Sequence, residues 1–292
     1  MKQLLPCTRK WHCRCSMIKT KHIKACLSIF RIQLAQSLQY RLAGLAGASI
    51  GIFWALIEIV VFMVFYKYAQ NSAYNMNGLT LSQVISYVWV AQMMVPLQPM
   101  SIDGELLSQI TNGNVGTALC RPLSLYDHWF AHTAAGRLGV FWIRAAVILL
   151  VSVLLPPSIR LAMPASMEGF VLFILSATGA FLLCTAYGML VTAVRLNITW
   201  GEGPTYIMLL LSGVLSGGYL PLQLWPDALQ KILLYQPFAG YLDIPVRLYI
   251  GSMEAGQGMM AILIQLGWVM VFVVIGKVLM ERKLKTLIIQ GG

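Results

Sequence analysis

Residues 212–251 read SGVLSGGYLPLQLWPDALQKILLYQPFAGYLDIPVRLYIG, an apolar stretch that glycine and proline interrupt repeatedly. A continuous membrane-spanning helix does not tolerate so many breaks, because each interior proline removes a backbone hydrogen bond. Irregular backbone exposed to lipid is not viable either, since its N–H and C=O groups find no partners there. We therefore expect this stretch to pack inside protein or to line a cavity, at or just outside a membrane.

The composition of the whole chain is that of an integral membrane protein. Of its 292 residues, 58% are hydrophobic and only 11% are charged, whereas a soluble domain carries roughly a quarter charged residues. A spanning helix needs about 20 mainly apolar residues, so the charge-free runs predict an all-α protein with six transmembrane helices. The predicted spans lie near 44–66, 82–100, 138–155, 169–194, 204–216 and 258–280.

The basic residues predict the orientation of the chain. With six spans and a cytoplasmic N-terminus, sixteen Lys and Arg residues fall on the inner side and four on the outer side. Inner loops of membrane proteins are enriched in basic residues. This bias accounts for the net charge of +11 without nucleic acid, and it predicts that both termini are cytoplasmic.

The N-terminal region is expected to lie at the inner membrane surface. Residues 22–41 carry apolar side chains at helical spacing with basic and amide side chains between them, which indicates an amphipathic interface helix. A helical elbow packed on protein is an equally open interpretation. We expect residues 1–21 to be a basic extension, 22–285 a single transmembrane domain and 286–292 a tail. The apolar positions are Ile23, Leu27, Phe30, Leu34 and Leu38.

The inner loop at 101–137 is expected to be structured. Leu106, Leu107 and Ile110 form a short apolar face, and Ser124 with Asp127 has the pattern of a helix N-cap. Two small helical pieces under the membrane would suit docking of another protein. An ordinary structured loop is the alternative.

The polar residues argue against an enzyme. Glu58 in the first span costs about 2.5–3.5 kcal/mol at a membrane centre, so it is either a proton or substrate contact or an interior hydrogen bond to a neighbouring helix. No G-x-x-x-x-G-K-[ST] phosphate loop occurs, so the chain is not expected to bind ATP. His128 and His132 lack the Glu of a zinc-binding H-E-x-x-H. We predict no catalytic, cofactor-binding or metal-binding residues.

Two segments together resemble a known family. They are ITNGNVGTALCRPLSLYDHW at 110–129 and LSGGYLPLQLWPDALQKILLYQPFAGYLDIPVRLYIG at 215–251. In order and spacing they resemble the permease subunits of type-2 ABC exporters, in particular a bacterial branch with the pattern I-x-x-G-x-x-x-x-x-L-x-R-P in an inner loop. The residues that match this pattern are Ile110, Gly113, Leu119, Arg121 and Pro122.

The resemblance implies partner subunits with separate roles in transport and ATP hydrolysis. A second copy or a related permease would complete the transport path in the bacterial inner membrane. Separate ATPase subunits, which hold the ATP and Mg, would contact the N-terminal helix and the 101–137 loop. The segment between the fifth and sixth spans would form a re-entrant outer gate. Its breaking residues are Gly217, Gly218, Pro221, Pro226, Pro237 and Pro245.

Two other functions are less compatible with the sequence. A proton-coupled secondary transporter would use Glu58, but no internal repeat is visible, whereas many such transporters are built from repeats. A lipid-modifying membrane enzyme would need converging acids, histidines or a metal.

Overall fold

A computed structural model describes residues 17–69, 79–112, 124–198 and 201–286, and every regular element in these ranges is helical. We number the α-helices in chain order. Single turns of 3-10 helix lie at Val95–Leu97, Leu222–Leu224 and Pro237–Tyr241. The α-helices are α1 Met17–Gln39, α2 Arg41–Ala69, α3 Leu81–Met94, α4 Gly104–Thr111, α5 Leu125–Leu154, α6 Met167–Asn197, α7 Gly203–Leu215, α8 Asp227–Tyr235, α9 Asp243–Ile250 and α10 Ala255–Thr286.

Four of these helices are long and apolar enough to cross a membrane. They are α2, α5, α6 and α10. The helices at the second and fifth predicted spans are apolar but shorter, over Leu81–Leu97 and Gly203–Leu215. The protein is thus a multi-pass, all-helical membrane protein, and the count of six spans stays a prediction.

The helices at the second and third predicted spans differ in extent from those spans. The third span was predicted over 138–155 in a helix that runs from about 125, and α5 does begin at Leu125, where the Ser124 hydroxyl accepts a hydrogen bond from the Asp127 N–H at 3.1 Å. The predicted N-cap at Ser124 is therefore confirmed. The second was expected over 82–100 but is helical only to Leu97. Gln98 is extended, because a residue before proline avoids the helical conformation and Pro99 follows it.

The core lies between α6 and α10, which pack along each other more extensively than any other pair of described helices. Small residues on α6 let polar side chains approach its backbone. Gln265 of α10 donates a hydrogen bond to the carbonyl oxygens of Ser176 at 3.0 Å and Gly240 at 2.7 Å. A Cβ added at Gly179 would lie 2.7 Å from the Gln265 side-chain oxygen. This amide therefore fixes the segment after α8 to both core helices.

The outer surface of the bundle is apolar, as lipid contact requires. Phe53, Trp54, Val60 and Val61 of α2 are all more than half exposed. An apolar surface this large is unfavourable in water. These side chains therefore face lipid or another membrane subunit.

The N-terminal helix α1 packs beside α5. Ser37 approaches Gly139 so closely that a Cβ there could not be accommodated without movement of the serine. Of the predicted apolar stripe, Phe30 and Leu34 are half-buried, whereas Ile23, Leu27 and Leu38 are exposed. One side of α1 thus contacts protein while apolar side chains remain on the other, so both sequence interpretations describe part of this helix.

Candidate functional site

The short helix α4, which the predicted orientation places on the inner side, is held by a polar cap. The Asp103 carboxylate accepts hydrogen bonds from the N–H groups of Glu105 at 3.0 Å and Leu106 at 3.4 Å. These are the free donors at the start of a helix, and a carboxylate there also stabilises the helix dipole. The sequence analysis gave α4 an apolar face but did not identify Asp103 as its cap.

Polar side chains join α4 to the long helix α5. His132 lies 3.6 Å from the Asp103 carboxylate and 3.1 Å from that of Glu105. The Trp129 indole N–H donates to the side-chain oxygen of Gln109 at 3.2 Å. From the sequence His132 was considered only in relation to a zinc-binding pattern, whereas in the structure it bridges two carboxylates. The sequence feature that could have indicated this bridge is the pair of acidic residues at 103 and 105.

The charge state of Asp103 suits this bridge. Burial disfavours the carboxylate, but the hydrogen bond and attraction to His132 and the two backbone N–H groups outweigh it and lower the pKa of Asp103 below its usual value. A lowered pKa means that the carboxylate is charged at neutral pH, and its contribution to stability is lost only as the pH falls through that lowered value.

An apolar cluster connects α4 to the inner ends of three long helices. Leu106 is buried together with Trp129 of α5, Met189 of α6 and Met280 of α10. Beside it, the Lys277 ammonium lies 3.0 Å from the Asp127 carboxylate. A displacement of α4 would therefore be transmitted to α5, α6 and α10, because packed side chains leave little free space.

Only part of the predicted ATPase-coupling pattern lies in the described residues. Ile110 is in α4 and packs against the cluster around Leu106. Gly113, Leu119, Arg121 and Pro122 lie outside the described residues, so their role stays a prediction.

At the end of the bundle that the predicted orientation places outside, a turn after α7 is held by a tyrosine. Gly217 has φ of +84°, which L-residues with a side chain rarely adopt. The Tyr87 hydroxyl of α3 lies 3.0 Å from the Gly217 carbonyl oxygen and 3.2 Å from the Asp243 carboxylate. The Leu222 N–H also donates to Asp243, at 3.2 Å. The buried Asp243 carboxylate thus holds together the start of the outer segment, the stretch 216–251 between α7 and α10.

The same carboxylate forms a buried ion pair. The Arg247 guanidinium lies 2.5 Å from Asp243, one helical turn along α9. Asp243 is fully buried and Arg247 is 6% exposed. The sequence analysis missed both residues. Their i, i+4 spacing inside an otherwise apolar segment was the signal.

Further hydrogen bonds attach the outer segment to the bundle. The Gln83 amide of α3 donates to the Ile250 carbonyl oxygen at 3.2 Å, and the Gln236 amide donates to that of Leu215 at 2.7 Å. The Tyr249 hydroxyl donates to the Ala162 carbonyl oxygen at 2.9 Å. The irregular backbone is therefore bonded to protein, as its apolar surroundings require.

The predicted gate residues lie along this segment rather than in one cluster. Gly217 and Gly218 follow α7, Pro221 precedes the 3-10 turn at Leu222, and Pro226 caps α8. Pro237 begins the turn before α9. Pro245 lies in the first turn of α9. Backbone N–H groups there have no partner within the helix, so the missing N–H of proline removes no hydrogen bond. Pro245 therefore lies inside a helix and does not separate two helical pieces.

Glu58 belongs to a polar chain across three helices. It is half-buried on α2 and interacts with the Gln92 side chain of α3. The Gln92 side-chain oxygen accepts from the Arg144 guanidinium of α5 at 3.4 Å. Glu58 therefore has a polar neighbour on another helix, and its role as a proton or substrate contact or as an interior hydrogen bond stays a prediction.

A family model described as ABC-2 family transporter protein matches residues 52–291. The match includes α3 to α10, the inner helix α4 and the whole outer segment. Comparison of the chain with curated proteins and with solved structures gave no match in either set.

Proposed function

The chain belongs to the ABC-2 family of transporter proteins, and we propose that it is the permease subunit of an exporter whose ATP is hydrolysed by separate subunits. In this proposal the chain supplies the path and the moving helices but no catalytic group. Six spans place both termini in the cytoplasm of a bacterium. A second copy or a paralogue completes the path, with α2 and its exposed apolar side chains available for contact with lipid or that subunit.

The observation that carries the coupling proposal is the attachment of α4. This helix is bonded to α5 through His132 and Trp129 and shares an apolar cluster with α6 and α10. An ATPase that pushes on α4 therefore acts on three long helices at once. Binding of ATP biases the permease between two packing states only if the ATPase contacts differ between those states.

The outer segment serves as the gate in this mechanism. Its short helix α9 is bonded to α3 through Gln83 and Tyr87, and the 3-10 turn before α9 is bonded to α10 through Gln265. Tilting of the long helices would change these contacts and open the outer side. The breaks at glycine and proline allow the short helices to move as separate pieces.

Association with the ATPase tests the proposal. Ser108 and Thr111 are exposed on α4 and bond only within the helix. The double variant Ser108→Arg with Thr111→Arg should keep the fold but lose copurification of the coexpressed ATPase subunit, because bulky cations would occupy the contact. Arg160→Gln, on the exposed outer loop, is the matched control and should copurify normally.

Undiminished copurification of the ATPase with the double variant would show that α4 is not the docking surface. Transport that follows a proton gradient and persists without any ATPase would instead support a secondary transporter that uses Glu58.

A further inference from the structure

A cavity of about 630 Å³ lies between α5 and the junction of α1 with α2. Its wall is formed by the end of α1, the start of α2, residues 95–103 and one face of α5. This volume is within the range of small-molecule sites. Asp103, the cap of α4, lies on the wall, so the cavity is on the inner half of the bundle.

The early end of α3 creates part of this wall. After Leu97 the chain is irregular as far as Asp103, and Pro96, Gln98 and Met100 face the cavity. The Arg137 guanidinium donates to the carbonyl oxygens of Leu97 at 3.1 Å and of Cys184 at 2.9 Å. Cys184 is near the middle of α6, so the break lies deep in the bundle rather than at its surface.

Two arginines lie on the cavity without a carboxylate partner. Arg137 and Arg144 are seven residues apart on α5, which places them on one face two turns apart. No ion pair joins either guanidinium to a carboxylate within the ranges that the structure describes. Neutral carbonyl and amide oxygens accept their hydrogen bonds. Burying a cation in this way costs free energy of folding unless an anion lies close to it.

Three residues of this wall each carry a buried side-chain polar atom that has no partner in the described part of the chain. These atoms are the Gln98 side-chain nitrogen, the Thr133 hydroxyl and the Arg144 Nε. Gln98 is 6% exposed and so is Thr133. Buried polar groups are normally hydrogen-bonded. All three can donate a hydrogen bond, so the missing partner is an acceptor.

The remaining wall combines apolar side chains with Gln33, Gln36, Ser37, Tyr40 and Ser101. Val140 and Ile143 of α5, Ala43 of α2 and Met100 face the same space. Asp103 is the carboxylate on this wall, and it is already engaged by His132 and two backbone N–H groups. The cavity therefore offers cations and donors beside an aliphatic surface.

We propose that this cavity is a binding site for an anionic amphipath, a molecule with a phosphate or carboxylate head and an aliphatic chain. The head accepts hydrogen bonds from Arg144, Thr133 and Gln98, and Arg137 adds a positive charge. The chain lies against Val140 and Ile143. An anionic phospholipid of the inner leaflet has this chemistry, and the lateral position of α1 gives it access from the membrane.

Lipid addition to the full chain tests the site. The chain is purified in a neutral detergent, together with any subunits that accompany it, and stripped of lipid. Dioleoyl phosphatidylglycerol should raise the unfolding temperature and be retained in native mass spectra, since a ligand of the folded state stabilises it. Dioleoyl phosphatidylcholine should do neither at the same concentration.

Addition of inorganic phosphate alone distinguishes a free oxyanion from a lipid as the ligand. A weak or absent effect of phosphate is expected, because the aliphatic chain contributes to binding. Stabilisation by phosphate equal to that by phosphatidylglycerol would overturn the amphipath and assign the site to a free oxyanion. Equal effects of both lipids would overturn the anion site.

Variants at the wall provide the specific control. Arg144→Gln should weaken phosphatidylglycerol binding about tenfold or more, since a charge-assisted hydrogen bond is lost. Thr133→Val should leave the lipid-free protein as stable or more so, because it removes an unpaired buried hydroxyl, yet should reduce the stabilisation by lipid. Arg160→Gln should bind as the unaltered chain does. Unchanged binding by both Arg144→Gln and Thr133→Val would overturn the proposal.

Discussion

At the scale of single residues, Asp243 determines how the outer segment is held. Its carboxylate accepts from the Leu222 N–H, lies within hydrogen-bond distance of the Tyr87 hydroxyl and pairs with Arg247. These partners come from α3, from the turn after α7 and from α9 itself. One side chain therefore connects parts of the chain that are up to 156 residues apart in sequence. The i, i+4 spacing within DIPVR indicates the pair with Arg247, but no local property of this sequence indicates the contacts with Tyr87 and Leu222.

Neutralising this carboxylate should loosen the outer segment. Asp243→Asn leaves Arg247 buried without a counter-charge, and breaking a buried ion pair costs about 3–5 kcal/mol. We expect a clear fall in the unfolding temperature of the purified protein. The double variant Asp243→Asn with Arg247→Met should recover part of that stability, because no unpaired cation remains. If the double variant were as unstable as the sum of both single variants, the pair would not be coupled.

At the scale of elements, single residues at the helix ends determine where the helices of this chain begin and end. Pro99 ends the helical run that follows α3, Ser124 starts α5 and Gly217 turns the chain after α7. Each end follows from a property of the residue itself: a missing N–H, a hydroxyl acceptor or the absence of Cβ. The sequence contained all three signals, and the one at Pro99 was outweighed by the apolar character of residues 82–100.

The turn at Gly217 allows a matched comparison of two glycines. In Gly217→Ala the new Cβ would lie 2.8 Å from the Tyr87 hydroxyl, and φ would stay at +84°. Strain of this kind costs about 1–3 kcal/mol, so the unfolding temperature should fall. Gly213→Ala lies inside α7, where the nearest atom is 3.8 Å away, and it should be neutral or stabilising by up to about 1 kcal/mol. Equal effects at both positions would mean that the turn is not required.

At the scale of the whole molecule, the two ends of the bundle are attached by different residues. The inner helix α4 is fixed to α5, α6 and α10 by packing, an indole hydrogen bond and the His132 bridge. The outer segment is fixed by hydrogen bonds from glutamine and tyrosine side chains and by apolar packing, since every residue of α9 is buried. Both ends of the bundle therefore combine packing with hydrogen bonds.

A covalent link across the outer end should stop the transport cycle. In a background without native cysteines, Gln83→Cys with Ile250→Cys would join α3 to the end of α9, where the Gln83 amide now reaches the Ile250 carbonyl. Oxidation should abolish permease-dependent ATP turnover while the ATPase still copurifies. The control pair Asn197→Cys with Leu279→Cys joins α6 to α10 at the inner end and should leave turnover intact. Normal turnover after the outer link would exclude a gate in this segment.

The sequence by itself determined the class of the protein and the general position of its elements. Charge-free runs, proline and glycine breaks and the Ser124 cap are local properties, and local properties act within a few residues of where they occur. They placed α2, α6 and α10, the division of 212–251 into short helices and the start of α5. The family resemblance from 110–129 and 215–251 agrees with the family match over 52–291.

Only the tertiary structure decided which polar residues meet. The bridge of His132 to Asp103 and Glu105, the grouping of Tyr87 with Asp243 and Arg247, and the arginine-lined cavity join residues from separate helices. In an apolar environment each buried polar group needs a partner, and many partners would satisfy that need. The choice among them depends on how the helices pack in space, which no periodicity or spacing along the chain specifies.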